Sequence, residues 1–423
     1  MDFELILFVA MLGVFFAGCF AFKLPVSVSM VASAVAGTLA GGKGIPIRHL
    51  VEGTFGYLDT ILVIACAMIF MKVIQEIGTL DALSSVIIRR YHKRPALLLI
   101  FLMFIIMFPG MITGSSTASV LTAGSIVAPI LMLMGIPMVE TASIIAMGGL
   151  LGMIAPPVNI PAMIIGGGID MPYVGFEIPL LLLTLPLAVF TVLYFGLKYA
   201  KNLDYEVLKE KIDFQTAKLY GIKIYFPVLA VLLLMVLSKL LPKTFGWGMP
   251  LIFITGSLIG LSCGKRINVY ETVKAAINSA LPVLGILMGV GMFIQVMTLT
   301  GVRGFIVVNS LSLPPVLLYL GIAITVPLFG AVSSFGASSV LGVPFLLALL
   351  GKDQIITASA LSLIASLGDM MPPTALAGIF AAQIVGLDDY SKVLKKCIIP
   401  SVILIIYALL FIIFSKSLAA VIF

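Results

Sequence analysis

The stretch Gly110 to Ser119, Gly-Met-Ile-Thr-Gly-Ser-Ser-Thr-Ala-Ser, constrains this chain more than any other. It is set between two strongly apolar runs, Ala96 to Met111 and Ala118 to Met134. The first run has 16 residues, about 24 Å of helix, which falls short of the roughly 30 Å hydrocarbon core of a bilayer. Backbone that leaves helix geometry at that depth survives only where protein encloses it or water reaches it. The stretch therefore predicts the tip of a re-entrant hairpin lining a polar cavity, and such a cavity is a binding-site candidate.

Placing that stretch in a membrane rests on composition: the chain is 61% hydrophobic and 10% charged, with a mean hydropathy of +1.24. Such values require most of the length to lie in lipid, so the lipid bilayer is the first partner. The acidic start, Met-Asp-Phe-Glu-Leu, without a following small-x-small cleavage site, predicts a retained first helix. Cys19, Cys66, Cys263 and Cys397 show no metal or redox spacing and read as unpaired small apolar residues. A net charge of +7 could suit a nucleic acid, but the basic residues occupy short loops and no basic face with interleaved aromatics exists. Nucleic acid is excluded as a partner.

Ten apolar runs, at about 3–22, 24–42, 58–78, 141–168, 175–197, 221–241, 247–263, 276–298, 355–386 and 397–415, are long enough to cross, some with a break. Two further segments, 96–134 and 315–350, read as hairpins. With both hairpins re-entrant, 17 Lys and Arg fall on one side, seven fall on the other, and Lys72 lies inside a helix. The richer side is cytoplasmic by the positive-inside rule, which puts both termini outside. The expected setting is a prokaryotic plasma membrane.

An internal repeat supports this layout. Gly152-Met-Ile-Ala-Pro156-Pro157 and Gly368-Asp-Met-Met-Pro372-Pro373 match at an offset of 216, and Phe70 and Gly78 match Phe293 and Gly301 at an offset of 223. Each hairpin has a polar tip, Gly114-Ser115-Ser116-Thr117-Ala118-Ser119 in the first and Ser333-Ser334-Phe335-Gly336-Ala337-Ser338-Ser339 in the second. The fold class predicted is an all-α polytopic membrane protein of about ten transmembrane helices plus two re-entrant hairpins in two inverted-topology repeats. Residues 1–197 form the first repeat (hairpin 96–134, broken helix 141–168), 198–220 a cytoplasmic linker with a surface helix, and 221–423 the second repeat (hairpin 315–350, broken helix 355–386).

Double prolines remove backbone donors and clash with the preceding turn, so Pro156-Pro157 and Pro372-Pro373 should interrupt their helices. Packing kinks are the plain alternative. Carbonyls freed beside Asn159 and Thr374 could coordinate a hard cation such as Na⁺. Hydroxyls of Ser115, Ser116 and Thr117, with Gly114, and of Ser333, Ser334, Ser338 and Ser339, with Gly336, sit beside half-helix amides that suit an anion. Close helix packing is the alternative for any single serine.

Asp369 is an ionisable residue at membrane depth whose repeat counterpart is Met153. It is read as an ion ligand or proton carrier, or as a cap on broken-helix amides. Lys72 and Glu76, four apart, read as a simple pair with no transport role. Enzyme chemistry is not expected: His49 and His92 fall in predicted loops, and no HExxH, Walker A or GxGxxG pattern is present.

The run Gly110 to Gly168, through Thr-Gly-Ser-Ser-Thr-Ala, Gly-Ser-Ile-Val-Ala-Pro and Gly-Met-Ile-Ala-Pro-Pro, resembles the large membrane subunit of TRAP transporters (DctM-like) within the ion transporter superfamily. The resemblance implies an elevator-type, Na⁺-coupled importer of small organic anions, typically carboxylates. It places ion sites where Ser115 and Ser116 meet Pro156 to Asn159 and where Ser338 and Ser339 meet Pro373 and Thr374, with substrate between the tips. It also implies a small membrane subunit and an extracytoplasmic substrate-binding protein as partners. The second tip, closer to the first than the family leads one to expect, and Pro-Pro-Val in place of Pro-Pro-Ser leave a stand-alone carrier open. A homodimer is compatible with the layout. H⁺ coupling through Asp369, and a channel or non-transporting component of a larger complex, are the rival readings.

Overall fold

The computed structural model describes residues 3–200, 215–311, 314–372 and 374–423, with only the backbone described at a few positions, among them 332–334. It is helical, with no strand among the described residues. Among the described residues, eight helices are long and apolar enough to cross a bilayer. Shorter apolar helices, including Val26–Ala40 and Met249–Gly260, stand between them.

One order of elements occurs twice. Leu58–Ile77 ends at Gly78 in the left-handed region (φ 89°), followed by Thr79–Tyr91, a hairpin, a broken helix and Glu177–Gly196. Val269–Leu299 leads to Gly301 (φ 79°), then Val302–Leu311, a hairpin, a broken helix and Ser391–Ile413. Glycine closes both long helices because it adopts positive φ without steric cost.

The first hairpin has arms Pro95–Thr113 and Ser116–Leu133. Its 19-residue first arm spans about 28 Å, longer than the run of 16 predicts. Hairpin geometry therefore comes from the turn and not from short arms. Gly114 (φ 65°) reverses the chain, and Leu99 and Ile136, at the two open ends, both pack on the Gly196 position. Entry and exit thus lie at one level.

The second hairpin, Pro315–Ala348, is helical along its length but is no straight rod. Twenty-four residues of straight helix would separate Gly321 from Phe345 by about 36 Å. Instead the Phe345 ring lies 3.7 Å from the point where a Gly321 side chain would begin. The two arms, Pro315–Ala331 and Phe335–Ala348, therefore fold back on each other. Val343 packs on Gly168, at the far end of the first broken helix, so this hairpin opens at the end of the molecule opposite to the first.

Each hairpin lies against a broken helix. The first is Met138–Ile154 and Ile160–Gly167, and the second is Gln354–Ser366, a tight turn Leu367–Met370, and Leu376–Val385. Every residue from Glu140 to Ile154 and from Ile356 to Ser366 is buried, so these two rods are the centre of the molecule. Their hydroxyls largely bond back into their own helices, as Ser359 does to Ile355 O at 2.7 Å and Ser362 to Ser359 O at 2.7 Å.

The helices fall into two packed layers. The hairpins and broken helices pack with Glu177–Gly196 and Ser391–Ile413, while Val26–Ala40, Leu58–Ile77, Phe226–Leu240, Met249–Gly260 and Val269–Leu299 pack among themselves. The ends agree with the charge pattern: Lys265 N–H bonds Ile77 O at 3.4 Å, and Lys396 pairs with Glu140 at 2.9 Å. At the other end Arg303 meets Asp170 at 3.5 Å and Lys239 meets Glu177 at 3.4 Å.

Several expectations need correction. Ile47–Phe55, Thr79–Tyr91 and Val302–Leu311 are helices too short to cross, and none was anticipated. His49 lies on the first of them, paired with Glu52, and not in a loop. Val269–Leu299 is longer than the 276–298 run because Asn268 caps it outside the apolar stretch, accepting from Glu271 N–H at 3.3 Å. Most of the polar linker lies outside the described residues, which resume with a helix at Gln215–Tyr220. All four cysteines are free.

Candidate functional site

Both hairpins touch their broken helices through glycine. A side chain on Gly152 would start 2.5 Å from Met107 O, and one on Gly110 would start 2.8 Å from the Gly152 carbonyl carbon. In the second half Gly330 lies backbone to backbone on Gly368. Gly152 and Gly368 are the first residues of the repeated Gly-xxx-Pro-Pro motif. The motif's glycine thus lets a hairpin arm approach at backbone distance just before the prolines open the helix.

The first break runs from Ala155 to Asn159, with a cis bond between Pro156 and Pro157. Val158 N–H donates to Met111 O at 3.1 Å, tying the break to the tip. Asn159 caps the helix beyond it: Oδ1 accepts from Ala162 N–H at 2.8 Å, while Nδ2 donates to Ile154 O and Ser362 Oγ, both at 2.9 Å. Three hydrogen bonds hold this fully buried amide across both halves. Ile160–Gly167 continues about 12 Å past the tip, by its length of eight residues. The hairpin therefore stops inside the depth spanned by the broken helix.

At the tip Ser115 caps the second arm, accepting from Ala118 N–H at 3.2 Å, and Thr113 bonds Pro109 O at 2.7 Å. Ser116 is buried and donates to Asp369 Oδ2. Asp369 Oδ1 accepts from Phe335 N–H at 3.1 Å, where the second arm of the second hairpin begins. One fully buried carboxylate from the second break therefore joins the tips of both hairpins. The sequence marks Asp369 as exceptional but does not show this three-way junction.

The remaining expected residues separate. Ser338 and Ser339 are buried in the second arm, and Ser339 bonds Phe335 O at 2.6 Å, within its own helix. Thr374 donates to Gly330 O at 2.6 Å, fastening the second break to its hairpin. Pro373 lies outside the described residues, as do the side chains of Ser333 and Ser334. Ser119, not among the expected ligands, has a buried hydroxyl with no partner among the described residues. No group of three His, Cys, Asp or Glu occurs among the described residues. An ion here would meet hydroxyl, carbonyl and carboxylate oxygens, a donor set that suits a hard cation.

A cavity of about 760 Å³ opens between the two layers. One wall comes from the hairpin tips, with Ser115, Thr117, Phe335 and Gly336, and from Leu376 and Phe380 of the helix that follows the second break. The other comes from Pro25 to Ser27, Met68 to Gln75 and Ala276 to Ile286. Lys72 is the one charged residue among the described residues lining it. Its ammonium lies 3.1 Å from Glu76 Oε1 and 3.3 Å from Gln75 Oε1. The i,i+4 pair is as the sequence predicts, but its place in a cavity wall is not visible from spacing.

Two hairpins and two broken helices around an interlayer cavity define a multi-pass membrane transporter. Residues 12–418 match the family model described as "Tripartite ATP-independent periplasmic transporter, DctM component", and the chain belongs to that family. A search of curated proteins finds no match. Among solved structures, the YdaH transporter of Alcanivorax borkumensis superposes with a TM-score of 0.60 at 17% identity, over 87% of each chain. MtrF of Neisseria gonorrhoeae, placed by its description in a class of antimetabolite efflux pumps, gives 0.60 at 13% identity, over 87% of this chain and 83% of that one. At such identities these two likenesses concern the fold.

Proposed function

We propose that the protein is a secondary active transporter that imports a small organic anion coupled to Na⁺ by an elevator motion of one helical layer against the other. The observation that carries this reading is the convergence of both hairpin tips on one cavity at the seam between the layers. Hairpins opening at opposite ends support an inverted-topology repeat, the duplication on which alternating access is built. The layer bearing the hairpins and broken helices is the moving body in this reading, and the other layer is the fixed frame.

The frame residues that line the cavity lie near Lys23 and Lys274, so the cavity faces the end richer in basic residues. By the positive-inside rule that end is cytoplasmic, and this conformation is the release state. Ser115 and Thr117 would meet the substrate, and Ser116 and Asp369, buried and in contact, would supply oxygens for Na⁺. Asn159 would act by keeping the first break open, since its amide is committed to three hydrogen bonds. Family membership supports a small membrane subunit and an extracytoplasmic binding protein as partners.

The test is uptake of labelled organic anions by the purified chain in liposomes, with and without the two expected partners. Accumulation that follows an imposed inward Na⁺ gradient and collapses with it is the expected result. Accumulation indifferent to Na⁺ would reject the coupling.

A further inference from the structure

The walls of the cavity differ in kind. The tip of the first hairpin offers the hydroxyls of Ser115 and Thr117, while the frame offers Met68, Met71, Val283 and Ile286, interspersed with Ser27, Gln75 and Ser279, and one cation, Lys72. Lys72 is among the lining residues and its partner Glu76 is not, so the cavity wall carries the cationic member of the pair. The pair is half-exposed, at 29% for Lys72 and 44% for Glu76. Exposed ion pairs are weak and exchange partners readily.

Resting on the transport reading above, we infer that Lys72 is the residue that recognises the substrate's charge, and that the substrate is a monocarboxylate with an apolar body. The carboxylate exchanges with Glu76 for the ammonium, and the body lies on the methionine and aliphatic wall. A second carboxylate would meet no cation in the lining, and burying an unpaired charge is costly. A neutral solute would leave the Lys72 contact unused. A volume of about 760 Å³ lies within the range of about 300–1,000 Å³ typical of pockets that enclose organic ligands mainly through apolar walls.

The experiment reads equilibrium binding to the full chain in lipid nanodiscs, by thermal unfolding midpoint, with three probes: phenylacetate, its neutral isostere phenylacetamide, and the dianion succinate. Phenylacetate is expected to raise the midpoint saturably, and the other two to bind at least tenfold more weakly. Lys72→Met should weaken phenylacetate at least tenfold, Lys72→Arg should stay within about threefold of wild type, and Glu76→Gln should tighten binding. Lys72→Gln serves where the methionine variant does not assemble, and unliganded midpoints report folding. Unchanged phenylacetate affinity in Lys72→Met, or succinate binding more tightly than phenylacetate, overturns the inference. Because no turnover is read, loss of Na⁺ coupling would leave this result standing. Conversely, Na⁺-driven uptake of another solute together with an indifferent Lys72→Met would sink the Lys72 assignment alone.

Discussion

The two halves solve one problem with different chemistry. In each, a glycine brings a hairpin arm onto a broken helix just before a double proline. In the first half the break is satisfied by neutral groups: Asn159 caps the next helix, and Val158 N–H bonds Met111 O at 3.1 Å. In the second, Asp369 receives Phe335 N–H at 3.1 Å and the Ser116 hydroxyl, so its charge reaches across to the first half. Its repeat counterpart, Met153, is simply buried. The two halves thus share this backbone contact, while only the second carries a carboxylate at the break.

The shared geometry gives the largest expected effects. Gly152→Val would drive a side chain into Met107 O, and Gly330→Val would drive one into Gly368 backbone, where no flexible atom can yield. Both variants should fail to reach the membrane as folded protein, losing more than about 3 kcal/mol, as overpacking at backbone contact does. Fluorescence-detected size exclusion of detergent extracts checks this. A monodisperse Gly330→Val with normal yield would break the equivalence of the two contacts.

The difference between the breaks is sharpened by two polar variants. Asp369→Asn keeps an oxygen for Phe335 N–H, and Ser116 can turn its hydroxyl to accept, so the midpoint should move little while uptake falls at least tenfold as the charge is lost. Asn159→Ala removes a helix cap and leaves Ile154 O and Ser362 without a donor or partner they now have, a cost of about 1–3 kcal/mol. Its midpoint should fall further than that of Asp369→Asn. Paired melting and uptake measurements decide, and uptake surviving in Asp369→Asn would show that the carboxylate serves structure alone.

Much of this was legible because lipid leaves few choices. The tip at Gly114 to Ser119, the breaks at both double prolines and the distribution of Lys and Arg follow from what a bilayer permits of backbone and charge. Thr79–Tyr91 and Val302–Leu311 escaped notice because neither is apolar enough to register as a span, although both follow a matching glycine. The Asp369 junction was hidden because it joins residues 253 apart, Ser116 and Asp369, from opposite hairpin systems. Lys72 was read from its i,i+4 spacing alone, and spacing carries no information about which face of a helix meets a cavity. Within the breaks, proline marks where a helix opens but not which side chain then closes the gap, and the three bonds of the Asn159 amide are not written in the sequence.

The smallest expected effect concerns how the first half is held to the frame. Tyr57, buried beside Leu58–Ile77, donates its hydroxyl to Ile164 O at 2.8 Å in the outer part of the first broken helix, and its ring closes on Gly167. Ile164 O already accepts from Gly168 N–H at 3.1 Å, so Tyr57→Phe strands no acceptor. The loss is one hydrogen bond, about 1 kcal/mol, equivalent to roughly a fivefold change in an equilibrium. If the layers slide, this interlayer bond exists in the present conformation and must break in the other. Tyr57→Phe should then leave the melting midpoint almost unchanged while shifting the population about fivefold away from the conformation seen here. Pulsed electron-spin distances between labels on the two layers measure that shift, and an unaltered distance distribution would mean that Tyr57 and Ile164 move together as one body.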